Sequence, residues 1–278
     1  MRIDPDRPLL EFNNLWVHGR PVVSSDNPKH SSGEQTKTFV PHKLYQRWLN
    51  KRQKNALSDG LSPHSRILIN GASGKLLSGQ ITVLTGASGS GKSVLLRVLA
   101  GLLPMSTGDI HLRSDATPHQ RDESIHTTSP ITWRKQVALL AQQPQLLEGN
   151  VLDNLKMPYA LDAHQTQSFD INWHLTQLAS LNKNADFLQQ EANHLSGGER
   201  QLVNTLRLLQ LNPRVLLLDE PTAALDIDTS AQLVSLLMRW LQANRQRSLL
   251  WVTHDTKEIM SLASRHWHMQ AGVLTEAL

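Results

Sequence analysis

A glycine-rich segment at residues 86–93 reads GASGSGKS and has the spacing G-x-x-x-x-G-K-[ST]. The stretch ITVLT precedes it and the stretch VLLRVLA follows it, which is the strand and helix context that this spacing requires. Glycines allow backbone N–H groups to curl around phosphate oxygens, and the start of the following helix adds partial positive charge. We therefore expect the segment to hold nucleotide phosphates through Gly86, Ala87, Ser88, Gly89, Ser90, Gly91, Lys92 and Ser93.

Four side chains, two from this segment and two from a second motif, suit phosphate chemistry. Lys92 is expected to reach the β- and γ-phosphates, and Ser93 to ligate Mg²⁺. The stretch RVLLLDEPT at residues 214–222 brings two carboxylates to the end of an apolar strand. Asp219 is placed to hold Mg²⁺ through water, and Glu220 to act as the general base that orients the attacking water. Alone, this stretch could be a strand before an acidic turn, and the glycine-rich motif favours the chemical interpretation.

A third motif, LSGGERQ at residues 195–201, places two glycines at the start of a helix, with Ser196 as its cap. Such a helix start can also bind phosphate. One glycine-rich phosphate loop suffices for one nucleotide, so a second phosphate-binding helix start suggests a site completed by another subunit. An ordinary capped helix is the alternative for this heptapeptide taken alone.

The elements that position these motifs alternate between strands and helices. Buried or apolar strands are predicted at 81–85, 137–141, 215–218 and 249–253, and helices at 93–102, 199–211 and 230–244. Residues 150–192 are predicted to be mostly helical, and residues 9–17 to form an edge strand. This alternation predicts an α/β fold with a parallel sheet.

Composition excludes several other kinds of protein. The chain has 278 residues and no cysteine, which excludes a disulfide framework, a thiolate zinc site, an iron–sulfur cluster and a cysteine nucleophile. No run approaches 18 apolar residues, so we do not expect the chain to span a membrane by itself. The first residues, MRIDPDRPLLE, lack the apolar stretch of a signal peptide.

The basic charge of the chain is concentrated in one segment. The net charge is +4, but residues 20–66 contain nine Lys and Arg against three acidic residues. Within this segment, residues 42–57 favour a helix with Leu44, Tyr45, Trp48 and Leu49 on one face. Two interpretations stay open: a solvated polar insertion, or a helix that lies on anionic lipid or on a partner.

Together with three further motifs, these residues make the chain resemble the ABC-type ATPases, the nucleotide-binding subunits of transporters, over about 9–19 and 66–278. The resemblance implies an α/β P-loop NTPase fold: a RecA-like parallel sheet core, an antiparallel edge subdomain and an α-helical signature subdomain. It implies a single ABC ATPase domain over 1–278, with 143–198 as the helical subdomain. Residues 20–66 depart from the family pattern and are predicted to be a basic polar insertion in this domain.

The resemblance also assigns roles to individual residues. The segment at 86–93 matches Walker A, and Asp219 with Glu220 matches Walker B and its catalytic glutamate. Gln142 matches the Q-loop glutamine that senses Mg²⁺, nucleotide and the membrane subunit, and His254 matches the switch histidine that touches the γ-phosphate. The signature motif, which acts on the ATP of the partner copy, is matched by Ser196, Gly197, Gly198 and Glu199. Asp226 matches the D-loop.

The resemblance implies that the chain hydrolyses ATP with Mg²⁺. It also implies a homodimer that binds ATP between its two copies and drives a separate integral membrane permease. The protein would lie peripherally on the cytoplasmic face of the inner membrane, and no nucleic acid is expected as a partner. Three sequence features are similar to those of the FetA (YbbL) group of ATPases, which is described as part of a bacterial iron exporter. They are Ala141 before Gln142 and the stretches LVNTLRLLQLNP and LLWVTHDTKEI.

Two other functions are weighed against transport. A soluble ABC ATPase acting on ribosomes or DNA usually has two cassettes or a long coiled coil, whereas this chain has one phosphate loop and no sustained heptads in 94–214. A nucleotide-binding module without hydrolysis is disfavoured by the intact Lys92, Glu220 and His254.

Two further residue pairs carry open interpretations. Either His18 or Trp16 could stack on adenine, although packing within a strand is the expected role of Trp16. His266 and His268 alternate on a strand and could share a face, but no carboxylate or cysteine completes a metal ligand set in the sequence around them.

Overall fold

The computed structural model describes residues 7–19, 66–114, 122–223, 225–254 and 259–277. The chain divides into two units, Met1–Val17 with Leu68–Leu278 and, separately, His18–Ile67, and the first unit contains the motifs above. The predicted helix at 42–57, and with it almost all of the predicted insertion at 20–66, lies outside the described residues.

Strands and helices alternate through the described ranges. The strands are β1 Leu10–His18, β2 Ile67–Leu76, β3 Ile81–Thr85, β4 Thr107–Leu112, β5 Glu123–Ser124, β6 Val137–Leu140, β7 Val215–Asp219, β8 Ser248–Val252, β9 Arg265–Gln270 and β10 Val273–Glu276. The α-helices are α1 Lys92–Leu99, α2 Pro130–Gln136, α3 Val151–Lys156, α4 Ile171–Ser180, α5 Gly197–Leu209 and α6 Ile227–Gln242. This is the α/β alternation that the sequence predicts.

The larger sheet has six strands in the order β10-β9-β3-β8-β7-β6. Its neighbouring strands are parallel except for β10, which pairs antiparallel with β9. Asp219 at the end of β7 lies opposite Val252 at the end of β8, so the segments that follow these two strands leave the same edge of the sheet. The motifs predicted to act on phosphate follow β3, β7 and β8 at this edge.

Two separate buried clusters of apolar side chains cover the two faces of this sheet. Val83 belongs to one cluster and its neighbour Leu84 to the other, as expected when successive side chains of a strand point to opposite faces. All five residues of β7 are buried. A central strand with apolar contacts on both faces gives the carboxylates after it a fixed position.

The smaller sheet has four strands in the order β2-β1-β4-β5. β1 pairs antiparallel with β4, from Leu10 opposite Leu112 to Trp16 opposite Thr107. The prediction of an edge strand at 9–17 is therefore wrong, because β1 has a neighbour on each side. The reason is that the partner strand β4, TGDIHL, is mostly polar and lacks a clear strand pattern, so the second neighbour of β1 is not visible in the sequence.

The region between β6 and β7 is built from α3, α4 and α5, joined by short 3-10 turns rather than by long helices. Caps fix where the three helices begin: Asn150 and Ser196 form capping boxes, and the Asp170 carboxylate accepts backbone N–H bonds from the first turn of α4. Buried side chains of this region, such as Phe187 and Leu206, join one of the two clusters on the large sheet. The boundary predicted for a helical subdomain, 143–198, stays a prediction.

Within the described ranges, no helix has the length and hydropathy needed to cross a bilayer.

Candidate functional site

The loop between β3 and α1 has a backbone that only glycine adopts readily. Gly86, Gly89 and Gly91 have φ angles of 143°, 74° and 112°. A Cβ atom on Gly86 would lie 2.1 Å from the carbonyl oxygen of Met269, and one on Gly91 would lie 2.7 Å from that of Leu68. The backbone conformation therefore favours glycine at all three positions, and neighbouring backbone atoms leave no room for a side chain at Gly86 and Gly91.

Lys92, the first residue of α1, is buried and folds back over the loop. Its Nζ donates hydrogen bonds to the carbonyl oxygens of Gly86 and Ala87 at 2.7 and 2.9 Å. Burial lowers the pKa of this ammonium group, and the carboxylates of Glu220 and Asp219 act in the opposite direction. A cation held by carbonyls and facing two carboxylates is suited to bind phosphate, which offers it oxygen atoms of full negative charge.

Ser93 and Asp219 meet at the edge of the sheet. The Ser93 hydroxyl donates to Asp219 Oδ1 at 3.1 Å. Asp219 is the last residue of β7, and Ser93 lies in the first turn of α1. A hydroxyl and a carboxylate at this spacing form a pair of hard oxygen ligands, the type that Mg²⁺ prefers.

Glu220 follows directly and has φ +50°, a left-handed conformation that is uncommon for residues other than glycine. Its backbone N–H donates to the carbonyl of Val252 at 3.0 Å, which ties the turn to β8. Its two carboxylate oxygens have different partners. Gln142 Nε2 donates to Oε2 at 3.0 Å, and His254 Nε2 lies 2.8 Å from Oε1. Three predicted site residues from three loops are therefore brought together on one carboxylate.

The signature residues begin α5. The Ser196 hydroxyl accepts the N–H of Glu199 at 3.2 Å, and the Glu199 carboxylate accepts the N–H of Ser196 at 3.0 Å. Ser196 and Gly197 are exposed, and a Cβ on Gly197 would meet no atom within 4 Å. Since capping uses only an acceptor lone pair of Ser196, its O–H can donate outward. Ser196 and Gly197 thus form an open helix start.

Asp226 caps the neighbouring helix α6. Its carboxylate accepts hydrogen bonds from the N–H and the hydroxyl of Thr229, both at 2.8 Å, and these bonds lower its pKa. Thr229 in turn limits the room beside Gly198, where an added Cβ would lie 3.2 Å from its methyl group. Asp226 and the signature glycines are therefore neighbours through Thr229.

The predicted residues fall into two groups. Residues 86–93, Gln142, Asp219, Glu220 and His254 form one, and Ser196, Gly197, Gly198 and Asp226 form the other. Among the hydrogen bonds and ion pairs of the described ranges, none joins the signature residues to the phosphate loop.

Two contacts of the phosphate loop have no signal in the sequence. The carbonyl of Ser90 accepts the N–H of Gly272, in the turn between β9 and β10, at 2.9 Å. Met269 from β9 supplies the carbonyl beside Gly86. Neither residue type nor spacing in the last 14 residues points to such a role, because the contacts are made by backbone groups.

The residue pairs with open interpretations have structural partners. The Trp16 indole N–H donates to Asn14 Oδ1 at 2.9 Å, and Trp16 lies beside Gly71. The rings of His266 and His268 both lie within hydrogen-bond distance of the Thr85 hydroxyl, at 2.8 and 3.2 Å. The described part of the chain contains no group of three or more His, Cys, Asp or Glu that could hold a metal ion. Adenine stacking by Trp16 or His18 stays a prediction.

This combination of phosphate loop, carboxylates at the end of a parallel strand and separate signature helix defines an ATP-binding cassette. The chain belongs to the ABC transporter family, whose model matches residues 69–223. It therefore binds and hydrolyses ATP, as the ATP-binding subunits of that family do.

Among individual relatives, the chain is 33% identical over 192 residues to the "Probable iron export ATP-binding protein FetA" of Escherichia coli (strain K12), covering 69% of this chain and 80% of that protein. It is 36% identical over 197 residues to the molybdenum import ATP-binding protein ModC of Albidiferax ferrireducens, covering 70% of this chain and 51% of that protein. The chain thus spans most of FetA but about half the length of ModC and of the glycerol-3-phosphate import protein UgpC.

Solved structures agree on the fold. The dimeric structure of MJ0796, a bacterial ABC transporter cassette, matches with a TM-score of 0.68 at 19% identity, over 96% of this chain and 97% of that one. A bacterial Atm1-family ABC exporter with ATP bound matches with a TM-score of 0.67 at 19% identity, over 99% of this chain and 39% of the exporter chain. The predicted P-loop NTPase fold is confirmed.

Proposed function

We propose that two copies of this chain hydrolyse ATP between them and thereby drive a separate integral membrane permease that exports a metal ion, with iron as the cargo. The observation that carries the hydrolytic part is the convergence of Gln142, His254 and Glu220 next to the phosphate loop. The observation that supports the cargo is the similarity to FetA over 80% of its length. Each step rests on residues of this chain.

Lys92 performs the first step, nucleotide binding. Its Nζ is held by the carbonyls of Gly86 and Ala87 and can exchange them for β- and γ-phosphate oxygens. The backbone N–H groups of the loop and the start of α1 add further donors. Binding thus gives the buried ammonium group charged phosphate oxygens in place of two carbonyl oxygens.

Mg²⁺ would be held by Ser93 Oγ and the amide oxygen of Gln142, and by Asp219 through water. The 3.1 Å distance between Ser93 Oγ and Asp219 Oδ1 supports this donor set, because both are hard oxygen ligands at one point of the site. When bound, Mg²⁺ offsets the negative charge of the β- and γ-phosphates.

Glu220 performs the chemical step as general base. Its carboxylate accepts a proton from the water that attacks the γ-phosphorus atom, while the bond to the oxygen between the β- and γ-phosphates breaks and ADP leaves. Gln142 and His254 hold the two carboxylate oxygens, and so fix the direction from which the base reaches the water. The products are ADP and inorganic phosphate.

The signature of the second copy completes the site. Ser196 has an O–H that can donate to a γ-phosphate oxygen, and the open side of Gly197 leaves room for that approach. The exposure of Ser196 and Gly197 at the start of α5 supports action across a dimer. Asp226, adjacent to Gly198 through Thr229, would then lie at the dimer interface.

The membrane partner and the location follow from the same proposal. The chain would act at the cytoplasmic face of the inner membrane as a peripheral subunit, bound to a permease with its own membrane spans. The exported ion would be selected by that permease, and nucleic acid would have no part in the cycle.

The test is reconstitution. The tagged chain is purified from membranes with its bound membrane protein, placed in liposomes, and assayed for ATP hydrolysis with Fe²⁺, molybdate or glycerol 3-phosphate. We expect Fe²⁺ to stimulate hydrolysis and the other two compounds to leave it unchanged, and the Glu220→Gln complex to respond to none. Stimulation by molybdate or glycerol 3-phosphate would overturn the assignment of iron as the cargo. Stimulation of hydrolysis by ribosomes or DNA instead of a membrane protein would overturn the assignment of a transport function.

A further inference from the structure

A lysine outside every recognised motif contacts the signature. Lys183 Nζ donates to Glu199 Oε1 at 2.7 Å, and both side chains are about three-quarters buried, with 29% and 25% of their surfaces exposed. The Lys183 ammonium also lies 5.1 Å from the centre of the buried Phe187 ring. The lysine is therefore held between a carboxylate and an aromatic ring.

The contact continues directly to Ser196. The other carboxylate oxygen of Glu199, Oε2, accepts the N–H of Ser196, and the N–H of Glu199 donates to the Ser196 hydroxyl. The hydrogen bond from Lys183 is the largest contribution to the lowered pKa of Glu199, so the lysine stabilises the charged carboxylate that closes this capping box. Two hydrogen bonds thus link Lys183 through the Glu199 carboxylate to the backbone of Ser196. A third, from the Glu199 N–H, holds the Ser196 hydroxyl that would face the phosphate of the partner copy.

The backbone of Lys183 is itself anchored. Its N–H donates to the carbonyl of Leu178 at 2.9 Å, at the end of α4. Leu178 and Phe187 are both buried in the cluster that also contains side chains of α5. The ammonium is therefore fixed to the packed part of the region between β6 and β7, whereas Ser196 is exposed.

We propose that Lys183 is a positioning residue for the signature: it fixes the Glu199 carboxylate, and through it the orientation of Ser196 at the ATP site formed with the second copy. This inference rests on the proposed function for the action of Ser196 across the dimer. It predicts an effect on turnover rather than on nucleotide binding, because Lys183 acts on Ser196 and not on the phosphate loop of its own chain.

The first experiment separates turnover from binding and from folding. Lys183→Met keeps the length of the side chain and removes its charge, and Lys183→Arg keeps the charge. Lys156→Met is the matched control, since Lys156 also lies over a phenylalanine ring in the same region, 5.7 Å from the centre of Phe169. The full-length proteins are compared by kcat, by affinity for a fluorescent ATP analogue without Mg²⁺, and by Tm.

We expect Lys183→Met to lower kcat about three- to fivefold, which corresponds to the upper end, about 1 kcal/mol, of what an ion pair supplies, with unchanged affinity for the analogue. Lys183→Arg should recover at least half of the wild-type kcat, and Lys156→Met should keep all of it. A wild-type kcat in Lys183→Met would overturn the proposal, as would a loss of analogue affinity equal to the loss of kcat.

A double-mutant cycle tests the route through Glu199. With Glu199→Gln already present, adding Lys183→Met should lower kcat no further, because the bond that the lysine makes to the carboxylate is already weakened. Losses that multiply would show that Lys183 acts by another route, and would overturn the positioning role.

Heterodimers distinguish failure of this inference from failure of the proposed function. A wild-type chain is paired with a Lys92→Ala chain, so that the only intact phosphate loop faces the signature of the Lys92→Ala chain. Lys183→Met should lower the rate when placed on the Lys92→Ala chain and leave it unchanged on the other chain. Ser196→Arg is the reference. If its position has no effect, action across the dimer is refuted, and if only Lys183→Met lacks the effect, the inference alone is refuted.

Discussion

Replacing Glu220 by glutamine removes the proposed general base and little else. The two side chains have the same length and shape, and glutamine can adopt the φ of +50° at this position as readily as glutamate. The amide oxygen still accepts the hydrogen bond from Gln142, and the amide N–H₂ can donate to His254 Nε2 when that nitrogen is unprotonated. We therefore expect the variant to fold with a Tm close to that of the wild type.

The rate should fall steeply, because an amide does not take a proton from water. Loss of general-base assistance costs about 10²–10⁴-fold in kcat, which corresponds to about 3–5 kcal/mol of activation free energy. ATP binding should persist or become tighter. Glu220 is one of the two carboxylates close enough to act on the pKa of Lys92, so its replacement removes negative charge beside the bound phosphates.

The assay is phosphate release at saturating ATP, with ATP affinity measured on the same protein. Glu191→Gln, a change of an exposed glutamate outside the site, is the control and should keep the wild-type rate. A Glu220→Gln rate within about threefold of the wild type would refute the general-base role, because that is far less than such a base contributes.

Three further predictions concern the loop, the dimer and the region between β6 and β7. Gly86→Ala should abolish ATP binding, because its Cβ would lie 2.1 Å from a backbone carbonyl of β9, whereas Gly89→Ala, with no atom within 4 Å, should retain more of it in the same titration. Mixing inactive Lys92→Ala and Ser196→Arg chains should restore phosphate release, because one of the two ATP sites in the mixed dimer then carries neither substitution. If heterodimers form without recovery, either the site is not shared between two chains or one intact site does not suffice for hydrolysis. Burial lowers the pKa of His174 in the folded protein. Below about pH 6.5 the His174 imidazole of the unfolded chain takes up a proton that the folded chain does not, so the free energy of unfolding decreases as the pH falls. His174→Phe should therefore show a smaller decrease in Tm between pH 7 and pH 5 than the wild type.

The sequence predicts the centre of the fold well because its strands are apolar on both faces. β3, β7 and β8 are recognisable as short buried runs, and each is followed by a motif whose residue types have a defined chemistry. Helix starts were predictable within two or three residues, since Ser196 and Asp226 are typical caps. Residues whose side chains carry the chemistry are thus visible before the structure is known.

The smaller sheet and the back of the phosphate loop could not be predicted in the same way. β4 contains a glycine and polar residues and is not recognisable as a strand, so β1 was predicted to lie at an edge although it has neighbours on both sides. The contacts of Met269 and Gly272 with the loop are made by backbone groups, which have no residue-type signature. The pair of Lys183 and Glu199 joins residues 16 positions apart across a turn, and only the structure brings them within 2.7 Å.

The most direct test of the central claim is a crystal structure of Glu220→Gln with ATP and Mg²⁺. We expect two copies with two ATP molecules, each γ-phosphate lying between Lys92 of one copy and Ser196 of the other. An ATP molecule bound to the phosphate loop of a single chain, with Ser196 of the second copy facing solvent or a different surface, would contradict it.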